Sequence, residues 1–134
     1  AALGLSDAGA HVGQLCDAPL PTTLLGKWVR DRGIMPIERA IQKLSQEPAS
    51  IFGFVDRGEL AQGKKADIVV FDPATVDSGP LRRVRDFPAE SERLTADQPR
   101  GMTHMLVNGT PIRENGKSLH DTIEARPGEL AEIR

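Results

Sequence analysis

Tyrosine is absent from this sequence, and cysteine and tryptophan occur once each. Aromatic residues make up only 4% of the chain, so a core has to be assembled from Leu, Ile, Val and Ala without large anchors. The single cysteine, Cys16, excludes an intrachain disulfide and a cysteine-based zinc finger. No apolar run approaches the roughly 20 residues of a membrane-spanning helix, and no stretch reads as a signal peptide, which makes the cytoplasm the expected compartment. Neither sign of charge is in excess: 17 basic against 19 acidic residues leave a net charge of −2, which argues against a nucleic-acid partner. Arg82, Arg83 and Arg85 do cluster, but Asp86, Glu90 and Glu92 follow at once, the pattern of a solvated mixed-charge loop. There is no His-x-His pair and no His-Glu-x-x-His helix, so the chain cannot close a metal site of three or four ligands by itself. Gly4, Gly9 and Gly13 are not followed by Lys-Ser/Thr, which rules out a phosphate-binding loop.

What is present fits one ordinary soluble globular domain, or portions of two: 134 residues, 39% hydrophobic and 27% charged. The sequence opens mid-pattern with Ala-Ala and no capping residue, and the expectation is the C-terminal piece of a longer chain. Ala1 to Leu5 reads as a short apolar strand. Thr22 or Thr23 can cap a helix running to about Arg32, with Leu24, Leu25, Trp28 and Val29 on one face and Gly33 stopping it. Pro36 opens a second helix, in which Ile37, Ala40, Ile41 and Leu44 keep the helical period and Glu38 complements the dipole; Pro48 ends it and starts a short third helix through Phe52.

After Gly53 the period changes. Arg57 to Leu60 reads as extended, Ala61 to Lys64 as a turn, and Ile68-Val69-Val70-Phe71 as a strand buried on both faces, broken by Asp72-Pro73. Residues 74–101 read as a long irregular excursion. Asn108-Gly109 and Asn115-Gly116 each supply the positive φ angles of a tight hairpin turn and predict a three-stranded meander, with Pro111 on its second strand facing away from a partner. From Glu124 on, a polar tail with a turn at Pro127-Gly128 is expected. The fold class is α/β followed by a small antiparallel β segment, with the boundary between residues 57 and 58. The first strand has no neighbour within its own segment, which again points to missing sequence.

Asp7 is the leading candidate for chemistry. Delivered by a strand into the Gly-rich turn Ser6-Asp7-Ala8-Gly9, its carboxylate can ligate a divalent metal and move a proton; the bland alternative is an Asp that caps its own backbone. His11, four residues on, can bind substrate or orient Asp7 through a hydrogen bond; otherwise it is a loop histidine. Cys16 beside Asp17 lacks a recognisable oxyanion hole or orienting partner, so a Cys16–His11 nucleophile system is weakly founded. His104 falls in a predicted strand and His120 near the tail.

These residues together resemble a known family. Gly-Leu-Ser-Asp-Ala-Gly-Ala-His (4–11), Leu-Leu-Gly-Lys-Trp-Val-Arg-Asp-Arg-Gly (24–33), Gly-Glu-Leu-Ala-Gln-Gly-Lys-Lys-Ala-Asp-Ile-Val-Val-Phe-Asp-Pro (58–73) and Val-Asn-Gly-Thr-Pro-Ile (107–112) resemble the C-terminal part of the metal-dependent amidohydrolase superfamily, in its D-aminoacylase (N-acyl-D-amino-acid deacylase) branch. The resemblance implies the end of a TIM-like barrel over residues 1–57, its last strand and C-terminal helices, and the C-terminal part of a β-sandwich over 58–134. It implies that Asp7 contacts a metal, usually zinc, helps deprotonate the attacking water and then protonates the leaving amine, and it places His11 in a branch pattern near the substrate. The remaining ligands of that family fall upstream of Ala1, so this chain alone is expected to be inactive and to hold no zinc.

The implied activity is hydrolysis of a non-peptide C–N bond in an N-acyl-D-amino acid, with a dihydropyrimidinase-like amidohydrolase as the alternative within enzymes. A non-catalytic β-assembly module is the alternative outside them. Exposed strand edges would favour pairing with a second copy; no nucleic acid and no membrane is expected as a partner.

Overall fold

The computed structural model describes residues 2–4, 6–86 and 88–133. Helices come first and strands second. Helix α1 spans Leu20–Thr23 and runs directly into a π-helix, Leu24–Asp31; α2 spans Ile37–Leu44 and α3 Gln46–Ile51. Strands follow as β1 (Ile68–Phe71), β2 (Arg82–Arg85), β3 (Glu92–Thr95), β4 (Met102–Val107), β5 (Thr110–Glu114) and β6 (Lys117–Ser118). They form a four-stranded sheet in the order β1-β4-β5-β6 and a separate two-stranded β2-β3 hairpin, with every named pairing antiparallel.

The expected first strand, Ala1 to Leu5, falls partly outside the described residues, which omit Ala1 and Leu5. Ala2–Gly4 carry no strand pairing. A lone strand has no partner for its backbone groups, the same lack noted in the sequence. The first helix starts earlier than expected, at Leu20, and neither threonine caps it; Thr22 Oγ1 instead donates back to the Pro19 carbonyl at 3.0 Å. The π winding has two consequences. It turns Trp28 toward the edge of the apolar face, where it is 43% exposed, while Leu24, Leu25, Gly26 and Val29 are buried. It also lengthens the C-terminal cap: Gly33 (φ 60) donates to Val29 O and Ile34 to Trp28 O, each one residue farther back than in an α-helix ending with the same left-handed glycine.

Helix α2 forms as its period predicts, with Pro36 just outside it and Glu38 in its first turn. It ends at Leu44, before Pro48, which sits inside the first turns of α3 where its missing N–H leaves no bond unmade. Glu47 ties the two helices together through Arg39 (2.5 Å) and Lys43 (3.4 Å).

The core is thin. Leu24, Leu25, Val29, Ala40 and Val76 are its buried members, and Leu3, Met35, Ile37, Leu44, Phe71 and Met102 pack around them. Ala40 and Val76 have no exposure at all. Val76 is where helices and sheet meet, on the turn after β1 that Asp72 builds by accepting from Ala74 N–H (2.9 Å) and Thr75 Oγ1 (2.7 Å).

Both Asn-Gly turns form, with positive φ at Asn108, Gly109, Asn115 and Gly116. The meander gains β1 as a fourth strand: Ile68 lies opposite Leu106 and Val70 opposite His104. Pro111 does lie opposite a partner, Leu106, next to a register slip between Met105 and Leu106. Strand β1 is not buried on both faces, since Val69 and Val70 remain 48% and 46% exposed. Continuous apolar character signals two covered faces only when other layers are there to cover them. Residues 57–60 form no strand, and the tail bends at 124–125 rather than at Pro127-Gly128. The tail then returns to the body, where Ile133 bridges Phe54, Val55 N–H donates to Glu132 O, and Glu129 pairs with Lys65 and accepts from Asn108 Nδ2.

Residues 74–101 are ordered where an irregular excursion was expected. Asp77 and Arg100 bridge at the base, and β2 and β3 pair between them. The arginine cluster is a ladder across this hairpin: Arg82 binds Asp97, Arg83 and Arg85 bind Glu92, and Arg93 binds Asp86.

Candidate functional site

Residues 7–14 form a run of tight turns in which Asp7, Gly9 and His11 all take positive φ, 52°, 95° and 45°. Ala10 N–H donates to Asp7 O at 2.9 Å, and Gln14 and Leu15 N–H both donate to His11 O, at 2.7 and 3.0 Å. Ala8 N–H reaches Ser6 Oγ at 3.4 Å. It is therefore the serine, not the aspartate, that turns a side chain back onto this backbone. Among the described residues the Asp7 carboxylate and the His11 imidazole make no hydrogen bond or ion pair, and both residues are exposed. A left-handed aspartate on a turn projects its carboxylate outward at a conformational cost of about 1–2 kcal/mol.

The loop does not stand free of the rest. Leu94 N–H on β3 donates to Val12 O at 2.7 Å, and Arg83 Nη1 on β2 donates to Gly13 O at 3.0 Å. Cys16, two residues beyond the loop, is half-buried and forms no disulfide. The carboxylates of the hairpin are held below the usual range by their guanidinium partners: Glu92 chiefly by Arg85, Asp86 by Arg93 and Asp97 by Arg82. This hairpin carried no sequence signal of its own, because its turn uses Ala89 (φ 59) and Glu90 (φ 56) in place of Asn-Gly.

The sequence candidates are not gathered into one site. Asp7 and His11 share the loop with no hydrogen bond or ion pair between their side chains. His104 sits on β4 opposite Val70, and His120 is on the far tail, its Nδ1 at 2.9 Å from Ser118 Oγ and its Nε2 at 2.9 Å from Asp121. Among the described residues no three His, Cys, Asp or Glu side chains converge as a metal site would require. Asp7 can offer one ligand; these residues alone do not fit a complete zinc site. Two surface hollows, one beside α3 with Arg57 and Lys64 and one lined by Asp77, Gly79 and Arg100, include neither Asp7 nor His11.

Comparison with known proteins places the loop in context. The N-acyl-D-glutamate deacylase of Alcaligenes xylosoxydans xylosoxydans is 35% identical over 113 residues, covering 81% of this chain and 19% of that protein. A crystal structure of D-aminoacylase superposes with a TM-score of 0.61 at 32% identity, covering 83% of this chain and 20% of the other. The N-acyl-D-glutamate deacylase of Bordetella bronchiseptica, solved with zinc and a phosphonate mimic of the tetrahedral intermediate, gives a TM-score of 0.54 at 31% identity, covering 81% and 20%. The chain thus spans about a fifth of the length of the relatives it matches. Its likeness is to the D-aminoacylase branch, and residues 2–112 match the amidohydrolase family, to which the chain belongs.

Proposed function

We propose that this chain is the C-terminal part of a metal-dependent hydrolase that cleaves the amide bond of N-acyl-D-amino acids. The observation that carries the reading is the Asp7 carboxylate: exposed, unused by its own turn among the described residues, and set on a left-handed residue within a stretch that matches the amidohydrolase family. On this reading residues 1–57 are the last strand and C-terminal helices of a TIM-like barrel, and 58–134 the C-terminal part of a β-sandwich. Two features support that division. All helices longer than one turn lie before residue 52 and all named strands after 67. The accessible surface, 9348 Å², also exceeds the ~6,900 Å² that a compact monomer of this mass exposes, as expected of a piece whose faces are covered by other parts of a larger protein.

Zinc would polarise the amide carbonyl and activate water, held largely by ligands from outside these residues. Asp7 takes a proton from the attacking water and returns it to the nitrogen of the leaving amine as the C–N bond breaks. His11 contacts the substrate from the same loop. The partner is a small acylated amino acid, and the compartment is the cytoplasm; among the described residues no helix is long and apolar enough to cross a membrane.

The test is hydrolysis of N-acetyl-D-glutamate and its L-enantiomer by the natural full-length protein carrying this sequence. D-selective turnover is expected, with Asp7→Asn lowering kcat about 10²–10⁴-fold. The same substitution in the 134-residue chain should shift stability by less than about 0.5 kcal/mol, because among the described residues the exposed carboxylate makes no hydrogen bond or ion pair. Full activity in Asp7→Asn would overturn the role given to Asp7. Hydrolysis of cyclic ureides without deacylation would move the protein to the dihydropyrimidinase-like reading.

A further inference from the structure

The β2–β3 hairpin lies outside everything assigned above, yet it is where the Asp7 loop meets the β half of the chain. Two hydrogen bonds join them at successive residues: Leu94 N–H to Val12 O at 2.7 Å and Arg83 Nη1 to Gly13 O at 3.0 Å. Gly13 itself sits over the hairpin backbone, where a Cβ would lie 3.8 Å from Glu92 O. The loop needs external support. Two of its non-glycine residues hold left-handed backbone, and its internal bonds are short-range turns that water can replace.

We infer that the β2–β3 hairpin is a brace that fixes the Asp7–Gln14 loop in one conformation, with Arg83 as its positioning residue. Arg83 suits this task. Its Nη1 donates to Gly13 O while also facing Glu92 Oε2 at 3.5 Å, so the carboxylate pins the guanidinium against the carbonyl. Glu92 is held in turn by Arg85, which donates to Oε1 at 2.6 and 2.9 Å. The charge ladder thereby acquires a purpose beyond solubility: it stiffens the surface on which the loop rests. The inference builds on the deacylase reading where it concerns turnover, but the brace itself can be tested without turnover.

Hydrogen exchange on the 134-residue chain is the first measurement. Arg83→Ala should raise exchange at Leu94 and across residues 7–16 about ten-fold, with Arg83→Lys falling between, because a point donor can still reach the carbonyl. Replacing residues 82–95 with a short Gly-Ser linker should raise exchange in 7–16 further and leave α2 protected. Unchanged exchange in 7–16 of the linker variant overturns the brace.

The second measurement is a double-mutant cycle in the full-length enzyme. Arg83→Ala should lower kcat roughly 10–100-fold in the wild type, the scale of a small misplacement of a reacting group, and less than two-fold in Asp7→Asn. Equal losses in both backgrounds would show that Arg83 does not act through Asp7. A wild type without deacylase turnover, together with the exchange pattern above, would remove the deacylase reading and keep the brace.

Discussion

Gly26 lies so close to Val76 that a Cβ on the glycine would meet the Val76 carbonyl oxygen at 2.5 Å. The same carbonyl accepts Arg30 Nη1 at 2.6 Å, and on the other flank a Cβ on Gly101 would stand 2.6 Å from Val76 N. Val76 is thus clasped between the π-helix and the lead-in to β4, with Asp77 next to it held by Arg100 at 3.1 Å and Arg30 at 3.9 Å. Backbone atoms cannot swing aside as a side-chain tip can. Gly26→Ala should therefore push the π-helix off the sheet and lower stability by about 1–3 kcal/mol, seen as a lower urea midpoint. An unshifted midpoint would mean that the helix is not seated on this turn.

Gly109→Ala isolates a different effect. The nearest atom to its added methyl would be Ala66 Cβ at 3.9 Å, an ordinary contact, but φ is +81°. The penalty should be conformational alone, about 1–2 kcal/mol. Gly109→Asn, which tolerates the left-handed region better, should recover part of it in the same denaturation assay.

Acid should loosen the hairpin and the β1 turn together. Glu92, Asp86 and Asp97 are held below the usual carboxylate range by Arg85, Arg93 and Arg82, and Asp72 by the Thr75 hydroxyl and the Ala74 N–H. A depressed folded-state value means that the unfolded chain binds the proton first. The stabilisation is complete above the ordinary value near 4 and is lost as pH falls through the folded values below it. Denaturation midpoints should be flat from about pH 6 to 5 and fall below pH 4. Added salt should narrow the difference, because the pairs are exposed. A midpoint that rises on acidification contradicts these pairings.

Self-association is expected at β1. It ends its sheet with one edge unpaired among the described residues, and its exposed Val69 and Val70 flank that edge. Light scattering across a concentration series should show dimers that Val70→Lys suppresses, since a lysine on an edge opposes strand addition. A wild-type chain that stays monomeric at high concentration would remove this expectation.

Local chemistry was legible in the sequence wherever one residue type decides the outcome. Asn108-Gly109 and Asn115-Gly116 fixed two turns, Gly33 ended the first helical segment, and Ile37, Ala40, Ile41 and Leu44 announced α2. What escaped depended on distant partners. Ile68–Phe71 is apolar on both faces, but its covering was not in the local pattern. The β2–β3 pairing rests on Arg82–Asp97 and Arg93–Asp86, contacts between charged residues that also suit a solvated loop. The π winding of Leu24–Asp31 keeps the composition of an α-helix, so it shows only in the fold, in the backbone bonds of Gly33 and Ile34 and the exposure of Trp28. For the candidate site, the motif names Asp7 and His11 as candidates, and their roles belong to the proposed function. That Ser6 rather than Asp7 accepts the Ala8 N–H, and that Arg83 reaches Gly13 from 70 residues away, could not be read there.

The Asp77–Arg100 bridge separates two kinds of sequence. Asp77 N–H donates to Arg100 O at 3.3 Å and Arg100 N–H to Asp77 O at 3.0 Å, so the chain departs and returns through one closed pair. Length between those two points is decoupled from the four-stranded sheet, because closing a somewhat longer or shorter loop changes the entropy only slowly. Lengthening or shortening the segment between the two residues should therefore cost the four-stranded sheet little while the pair at the neck is kept. In this chain the hairpin that fills the segment also reaches the loop carrying Asp7, so a change of its length would be felt at that loop before it was felt at the sheet.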